Sequence, residues 1–179
     1  MLRRPWILLL FAIALLWLGA DLWIRSQQQV SAVDRLGWIK ERVRRQFPEA
    51  PQLSTADLDR RMQAGESLTL LDVRRPEEYA VSHLPGAIRV DPNAEPTLPP
   101  GVDASRPVVA YCSVGWRSSK WVEALRADGV DAVNLEGSIF QWAAEDRALV
   151  RGDQPVTVVH PYGRAWAWLV DPQDRATTP

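Results

Sequence analysis

Cys112 is the only cysteine among 179 residues, and Arg117 follows it after Ser113, Val114, Gly115 and Trp116. A lone thiol forms no internal disulfide and supplies no thiolate zinc cluster, so its use has to be read from the residues around it. It ends the apolar run VVAYC (108–112), and a helical pattern starts near Ser118, so residues 113–117 read as a tight strand-to-helix loop. Backbone N–H groups of such a loop converge on a concavity, and the following helix adds the positive end of its dipole. A thiolate or bound anion is stabilised there. Gly115 allows a turn that a Cβ would obstruct, and Arg117 contributes a permanent cation. The alternative is an inert buried cysteine that packs like a small hydrophobe. It accounts less well for a strand-end Cys followed by Gly and Arg before a helix.

The elements that must position this loop follow from the patterns around it. LTLLDV (68–73), AIRV (87–90), VVAYC (108–112) and AVNLE (132–136) are short apolar runs that predict buried strands. Between them, Ser54 caps a predicted helix through Gly65, PEEYAVSH opens on a proline, SSKWVEALRADG ends on a glycine, and SIFQWAAED predicts a short helix. This alternation implies a mostly parallel sheet with helices on both faces and ligands at the carboxyl ends of the strands. Residues 91–107 carry five prolines and no periodicity, which predicts a surface loop. The 21 Lys+Arg and 22 Asp+Glu nearly cancel, so nothing points to a nucleic-acid partner, and 46% hydrophobic content excludes disorder over most of the length.

Three separated motifs carry a family resemblance. LLDVRRPEEYAVSHLPGAIRV (70–90), CSVGWRS (112–118) and NLEGSIFQW (134–142) resemble, in order and spacing, the rhodanese-like sulfurtransferases. The resemblance covers residues 52–150 and implies an α/β fold with a five-stranded parallel sheet. It implies that Cys112 accepts a sulfane sulfur as a persulfide and passes it on. The donor would be thiosulfate, a polysulfide or a protein persulfide, and the acceptor a thiol or another nucleophile. Ser113, Val114, Gly115, Trp116, Arg117 and Ser118 would then form the substrate-binding loop. Asp72 and Arg74 match the family's Asp-x-Arg: by resemblance Asp72 orients the site, with a structural ion pair as the equal alternative. His83 would make a structural hydrogen bond. No cofactor and no metal is implied.

Related phosphatases and arsenate reductases have one residue more between Cys and Arg, a wider cradle suited to a tetrahedral oxyanion, whereas the shorter loop suits a sulfur atom. Ser113 replaces a cation that many thiosulfate-using members carry, and Trp116 is bulkier than usual. Both weaken the case for a small anionic donor, and a large indole beside Cys112 suits a protein or thiol partner or a shield for the persulfide. A catalytically weak module that binds a membrane partner is the rival from another class. Ser82 and Ser138 stand where glycine is usual and are expected not to touch the chemistry.

The flanks differ in composition from the middle. Residues 1–50 hold eight Lys+Arg and four Asp+Glu, and the remainder thirteen and eighteen. Residues 5–24 form an apolar run broken only by Asp21. A helix of that length spans about 30 Å, the thickness of a bilayer's hydrocarbon core, so residues 1–24 read as a transmembrane anchor, with a cleaved signal sequence as the competitor. Arg3 and Arg4 favour the amino terminus inside, which makes the chain a single-pass protein of a bacterial inner membrane with its domain outward, in the periplasm; Arg35, Lys40, Arg42, Arg44 and Arg45 argue the other way. Val33, Leu36, Ile39, Val43 and Phe47 predict an amphipathic helix within a connector of residues 25–51, its basic face solvated or touching anionic lipid. Residues 151–179 read as a Trp-bearing extension packed on the domain, with contact between Trp166, Trp168 and a membrane as the alternative. Nothing in the sequence sets the oligomeric state.

Overall fold

The apolar runs pair into one parallel sheet. In the computed structural model, which describes residues 16, 17, 19, 20 and 35–176, strands β1 (Gln52–Leu53), β2 (Thr69–Asp72), β3 (Ile88–Arg89), β4 (Val108–Tyr111) and β5 (Ala132–Leu135) lie in the order β1-β5-β4-β2-β3. Every pairing in this sheet is parallel, and β2 and β4 pair over their whole length, from Thr69 opposite Val108 to Asp72 opposite Tyr111. Both central strands are buried at all four positions, which is why they read as continuous apolar runs and not as alternating ones.

Among the described residues five α-helices accompany the sheet: α1 (residues 35–46), α2 (Thr55–Gln63), α3 (Pro76–Val81), α4 (Trp116–Ala127) and α5 (Ser138–Ala144). The β1-α2-β2 crossover moves across the sheet in one direction and β4-α4-β5 in the other, so right-handed connections place α2 and α4 on opposite faces. Local chemistry sets the helix starts. The Ser54 hydroxyl accepts the Asp57 N–H at 3.0 Å. Pro76 occupies the first turn of α3, where its missing N–H costs nothing. Helix α4 starts at Trp116, earlier than the predicted Ser118, because Gly115 takes a left-handed cap conformation at φ 100° and turns the chain at once.

Outside the strand-helix alternation the differences are larger. β1 is too short to show periodicity. A hairpin of β6 (Leu149–Arg151) and β7 (Gln154–Val156) was not expected from the sequence, and TVVH (157–160), whose β-branched residues read as extended, supplies only a single bridge, Val159 to Arg175. Residues 91–107 form neither helix nor strand.

Helix α1 packs on the domain. Leu36, Ile39, Val43 and Phe47 are buried in the same core cluster as the strands, a contribution of roughly 1.5–3 kcal/mol for each such side chain. The basic side of α1 is partly neutralised: Arg44 pairs with Glu136, and Lys40 donates to Gln141 at 3.0 Å. The carboxyl-terminal segment closes against α1, with Leu169 and Val170 buried and the Arg35 guanidinium donating to the Trp168 carbonyl at 2.7 Å and to Asp171 at 3.2 Å. Residues 173–176, whose polar composition suggests a frayed end, are held: the Ala176 N–H donates to the Val159 carbonyl. The apolar run 5–24 and the first ten residues of the connector lie outside the described residues, apart from 16, 17, 19 and 20, which are helical. Among the described residues no helix is long and apolar enough to cross a membrane.

Candidate active site

The loop after β4 is shaped by where its carbonyls go. The carbonyls of Cys112 and Ser113 accept the N–H groups of Ile139 and Phe140, at 3.2 and 3.1 Å, and so satisfy donors that the first turn of α5 cannot pair internally. With its carbonyls drawn to α5, the loop turns its amides toward the sulfur. The Gly115 N–H points at the Cys112 Sγ at 3.2 Å. Gly115 has no room for a side chain: a Cβ there would sit 3.0 Å from the Asn134 amide nitrogen, on a backbone already at φ 100°. Ser138, one of the two glycine replacements expected to be neutral, is in contact with the loop. Its hydroxyl accepts the Cys112 N–H at 3.2 Å and donates to the Leu135 carbonyl, while its backbone adopts the left-handed φ of 51° for which glycine is the usual choice.

Cys112 is 1% exposed. Burial alone would push its thiol up. The positive charge of Arg117 and the N–H groups of Ser118 and Val114 outweigh that effect and hold it below the ordinary thiol value. The Ser118 hydroxyl is committed elsewhere, 2.6 Å from the Asn134 carbonyl oxygen, so its backbone N–H is the donor left for the thiolate. Asn134 is fixed in turn by donating to Gln52 at 2.7 Å.

Arg117 reaches this place through a partner that the motifs do not reveal. Its two terminal nitrogens donate to both oxygens of the Glu78 carboxylate, at 2.8 and 2.9 Å, and one also reaches the Ser113 hydroxyl at 3.0 Å. Ser113 donates to Glu78 at 3.0 Å, and the Arg75 backbone N–H donates to it at 3.1 Å. Burial pushes the Glu78 carboxyl up, but Arg117 and these further donors bring it down to about 2. Within the sequence Glu78 reads as an ordinary first-turn acid of α3. Its capping-box spacing from Arg75 is the one available signal, and that signal explains the cap without the contact to Arg117.

Asp72 and Arg74 sit apart from this network. They form a bidentate pair at 2.8 and 2.6 Å, both fully buried, and Arg74 also donates to the Ser82 carbonyl and lies over the Tyr111 ring. No described hydrogen bond of either reaches the cysteine loop. His83 stacks on Tyr79 at 3.8 Å, and its Nδ1 lies 3.1 Å from the Tyr79 carbonyl. Among the described residues no group of His, Cys, Asp and Glu side chains could hold a metal ion.

A cavity of about 370 Å³ opens over the thiol. Cys112, Ser113, Val114, Trp116 and Arg117 form its base, and Phe140 of α5 one side. Trp38, Ile39 and Arg42 enter from α1, and Tyr162 and Trp166 from the carboxyl-terminal segment. Trp116 is braced edge-on against Phe47 with ring centroids 5.2 Å apart. Tyr162 lies against the Arg117 and Arg75 guanidinium groups, 4.9 and 5.2 Å from its ring centre, at a φ of 65° that a non-glycine residue seldom adopts. Periodicity along α1 shows which side chains face the core, but which of its other residues reach the site depends on long-range docking.

Comparison with known proteins gives these features a context. The rhodanese-like domain profile matches residues 54–145. YtwF of Bacillus subtilis is 32% identical over 99 residues, which span 55% of this chain and 96% of the relative. A sulfurtransferase of Allochromatium vinosum is 30% identical over 100 residues, 55% of this chain and 94% of its own. Among solved structures, a rhodanese-related protein of Thermoplasma volcanium superposes with a TM-score of 0.51 at 27% identity, covering 56% of this chain and 98% of that one. Helix α1 and residues 146–176 lie outside the matched profile.

Proposed function

The chain belongs to the rhodanese-like domain family, and on that premise we propose that it is a sulfurtransferase in which Cys112 carries the sulfur. The observation that carries this reading is the buried Cys112 thiol, held toward the thiolate by Arg117 and by converging loop amides at the floor of an open cavity. In the first half-reaction the Cys112 thiolate attacks the outer sulfur of a sulfane donor. A new S–S bond forms, the donor's own S–S bond breaks, and its electron pair leaves with the donor remnant, sulfite in the case of thiosulfate. The loop amides then face the terminal sulfur of the persulfide, where its negative charge resides. In the second half-reaction an acceptor thiolate attacks that outer sulfur. The electron pair of the Cys112–sulfur bond returns to Sγ, and the thiolate is regenerated with no net oxidation or reduction. Arg117, clamped by Glu78, acts as a fixed charge beside the sulfur.

Intact mass of the protein after incubation with thiosulfate or a polysulfide tests this. The expected result is a gain of one sulfur that is absent in Cys112→Ser. No gain with any sulfane donor overturns it, and Cys112-dependent hydrolysis of an aryl phosphate would assign the site to the phosphatase branch. The apolar run 5–24 supports a membrane anchor, and Arg3 and Arg4 before it support placing the domain on the outer side of a bacterial inner membrane. Labelling of Cys112 in intact cells by an impermeant thiol reagent is the expected outcome. Labelling only after permeabilisation places the domain inside.

A further inference from the structure

The walls of the cavity are more specific than its floor. Of the two arginines that line it, Arg117 is already paired with both oxygens of the Glu78 carboxylate. Arg42 is exposed and has neither a hydrogen-bond nor an ion-pair partner among the described residues. It comes from α1, which the family profile does not reach, and so do Trp38 and Ile39; Trp166 comes from the other unmatched flank. The same lining that holds Arg42 and the thiol includes four aromatic rings, Trp38, Trp116, Phe140 and Trp166. Flat aromatic walls bury a flat apolar body well, and an unpaired guanidinium is matched by a carboxylate or sulfonate, which it binds through two parallel hydrogen bonds. The volume of about 370 Å³ falls within the range of small-ligand sites. Cys112 is buried, so the reacting sulfur must enter with the body of the ligand behind it.

We propose that the cavity selects an organic thiol with an aromatic-sized apolar body and a terminal anionic group as the sulfur acceptor, and that Arg42 is the residue that recognises the anion. This rests on the sulfurtransferase reading above. The acceptor's thiolate takes the outer sulfur of the Cys112 persulfide and leaves as an organic persulfide, while the electron pair of the broken S–S bond returns to Cys112. Bare thiosulfate has no apolar body for the aromatic walls to bury.

The full chain, loaded with one sulfur by a polysulfide, is discharged by 4-mercaptobenzoate and by the uncharged 4-methylbenzenethiol, in wild type, Arg42→Gln and Arg42→Lys. Comparing the two acceptors within each protein cancels their different thiol reactivities. The expected result is that Arg42→Gln lowers the preference for the carboxylate-bearing thiol at least tenfold through KM, at least the size of one charge-assisted hydrogen bond, and that Arg42→Lys, which keeps the charge but loses the planar fork, restores part of it. An equal effect on both acceptors, or none, overturns the proposal and leaves the transfer reading standing. If no persulfide forms, the transfer reading fails and the pocket is decided separately: 4-(methylthio)benzoate, which cannot react, is titrated by quenching of tryptophan fluorescence. Binding that weakens in Arg42→Gln upholds the recognition; absence of binding removes it.

Discussion

Two arginine–carboxylate pairs hold the site end of the sheet, and they do opposite work with the same groups. Asp72–Arg74 is sealed, with both side chains fully buried and the guanidinium committed to Asp72, a carbonyl and a tyrosine ring. Glu78–Arg117 is open on one side: the carboxylate is buried, but the arginine remains 21% exposed and faces both the thiol and the cavity. Burial distinguishes them less than the third partner does. Arg74 hydrogen-bonds to Asp72 and a carbonyl, so its charge stabilises a corner of the fold, although Glu78 feels it; Arg117 has a sulfur beside it, so its charge reaches the chemistry.

The comparison can be broken at either pair. The largest expected effect is on the sealed one: Arg74→Met leaves the Asp72 carboxylate buried without a counter-charge, and unfolding in urea should show a loss of about 3–5 kcal/mol. Replacing both partners by apolar residues should recover most of it, since burying the pair is itself nearly neutral. Alkylation of Cys112 in the folded fraction should keep its pH dependence, and a marked shift there would erase the distinction between the pairs.

Next in size is acid. Glu78 lies at about 2 in the folded protein against an ordinary 4.5. Its native value is depressed, so its contribution is complete above about 4.5 and is lost as pH falls toward 2, on the order of 3 kcal/mol in all. Urea midpoints measured between pH 6 and pH 2.5 should fall along this curve in wild type, and Glu78→Gln should remove that part of the slope. The smallest effect is the most diagnostic. Arg117→Gln removes the charge that opposes thiol burial, so the midpoint of Cys112 alkylation against pH should move up and the rate at neutral pH should drop severalfold. An unchanged midpoint would mean that the loop amides alone hold the thiolate.

The nucleophile and the sheet around it were legible because each leaves a local trace. Cys112 ends an apolar run, Gly115 and Arg117 follow at fixed spacing, and the buried strands β2 and β4 lie within short runs rich in Leu and Val. What escaped depends on contacts between distant segments. Glu78 is separated from Arg117 by 39 positions, and nothing within α3 records which cation it meets. Ser138 reads as a neutral replacement until its hydroxyl is seen to take the Cys112 amide. The α4 start was displaced because Gly115 caps by conformation, with no side-chain hydrogen bond to announce it. Trp38 and Arg42 lie on the outer side of an amphipathic helix, the side from which periodicity extracts least.

The hydrogen bond from Arg35 to Asp171 joins residues 136 positions apart, on the two segments that wall the cavity. During synthesis the cysteine loop, its strands and its helices leave the ribosome well before Asp171 does. At about 5–20 residues per second, there is an interval of seconds in which the reactive sulfur exists without the side of the cavity that Tyr162 and Trp166 supply. The chain therefore acquires its nucleophile before its selectivity is complete, and a thiol that the finished cavity would turn away meets a lower barrier in the nascent protein.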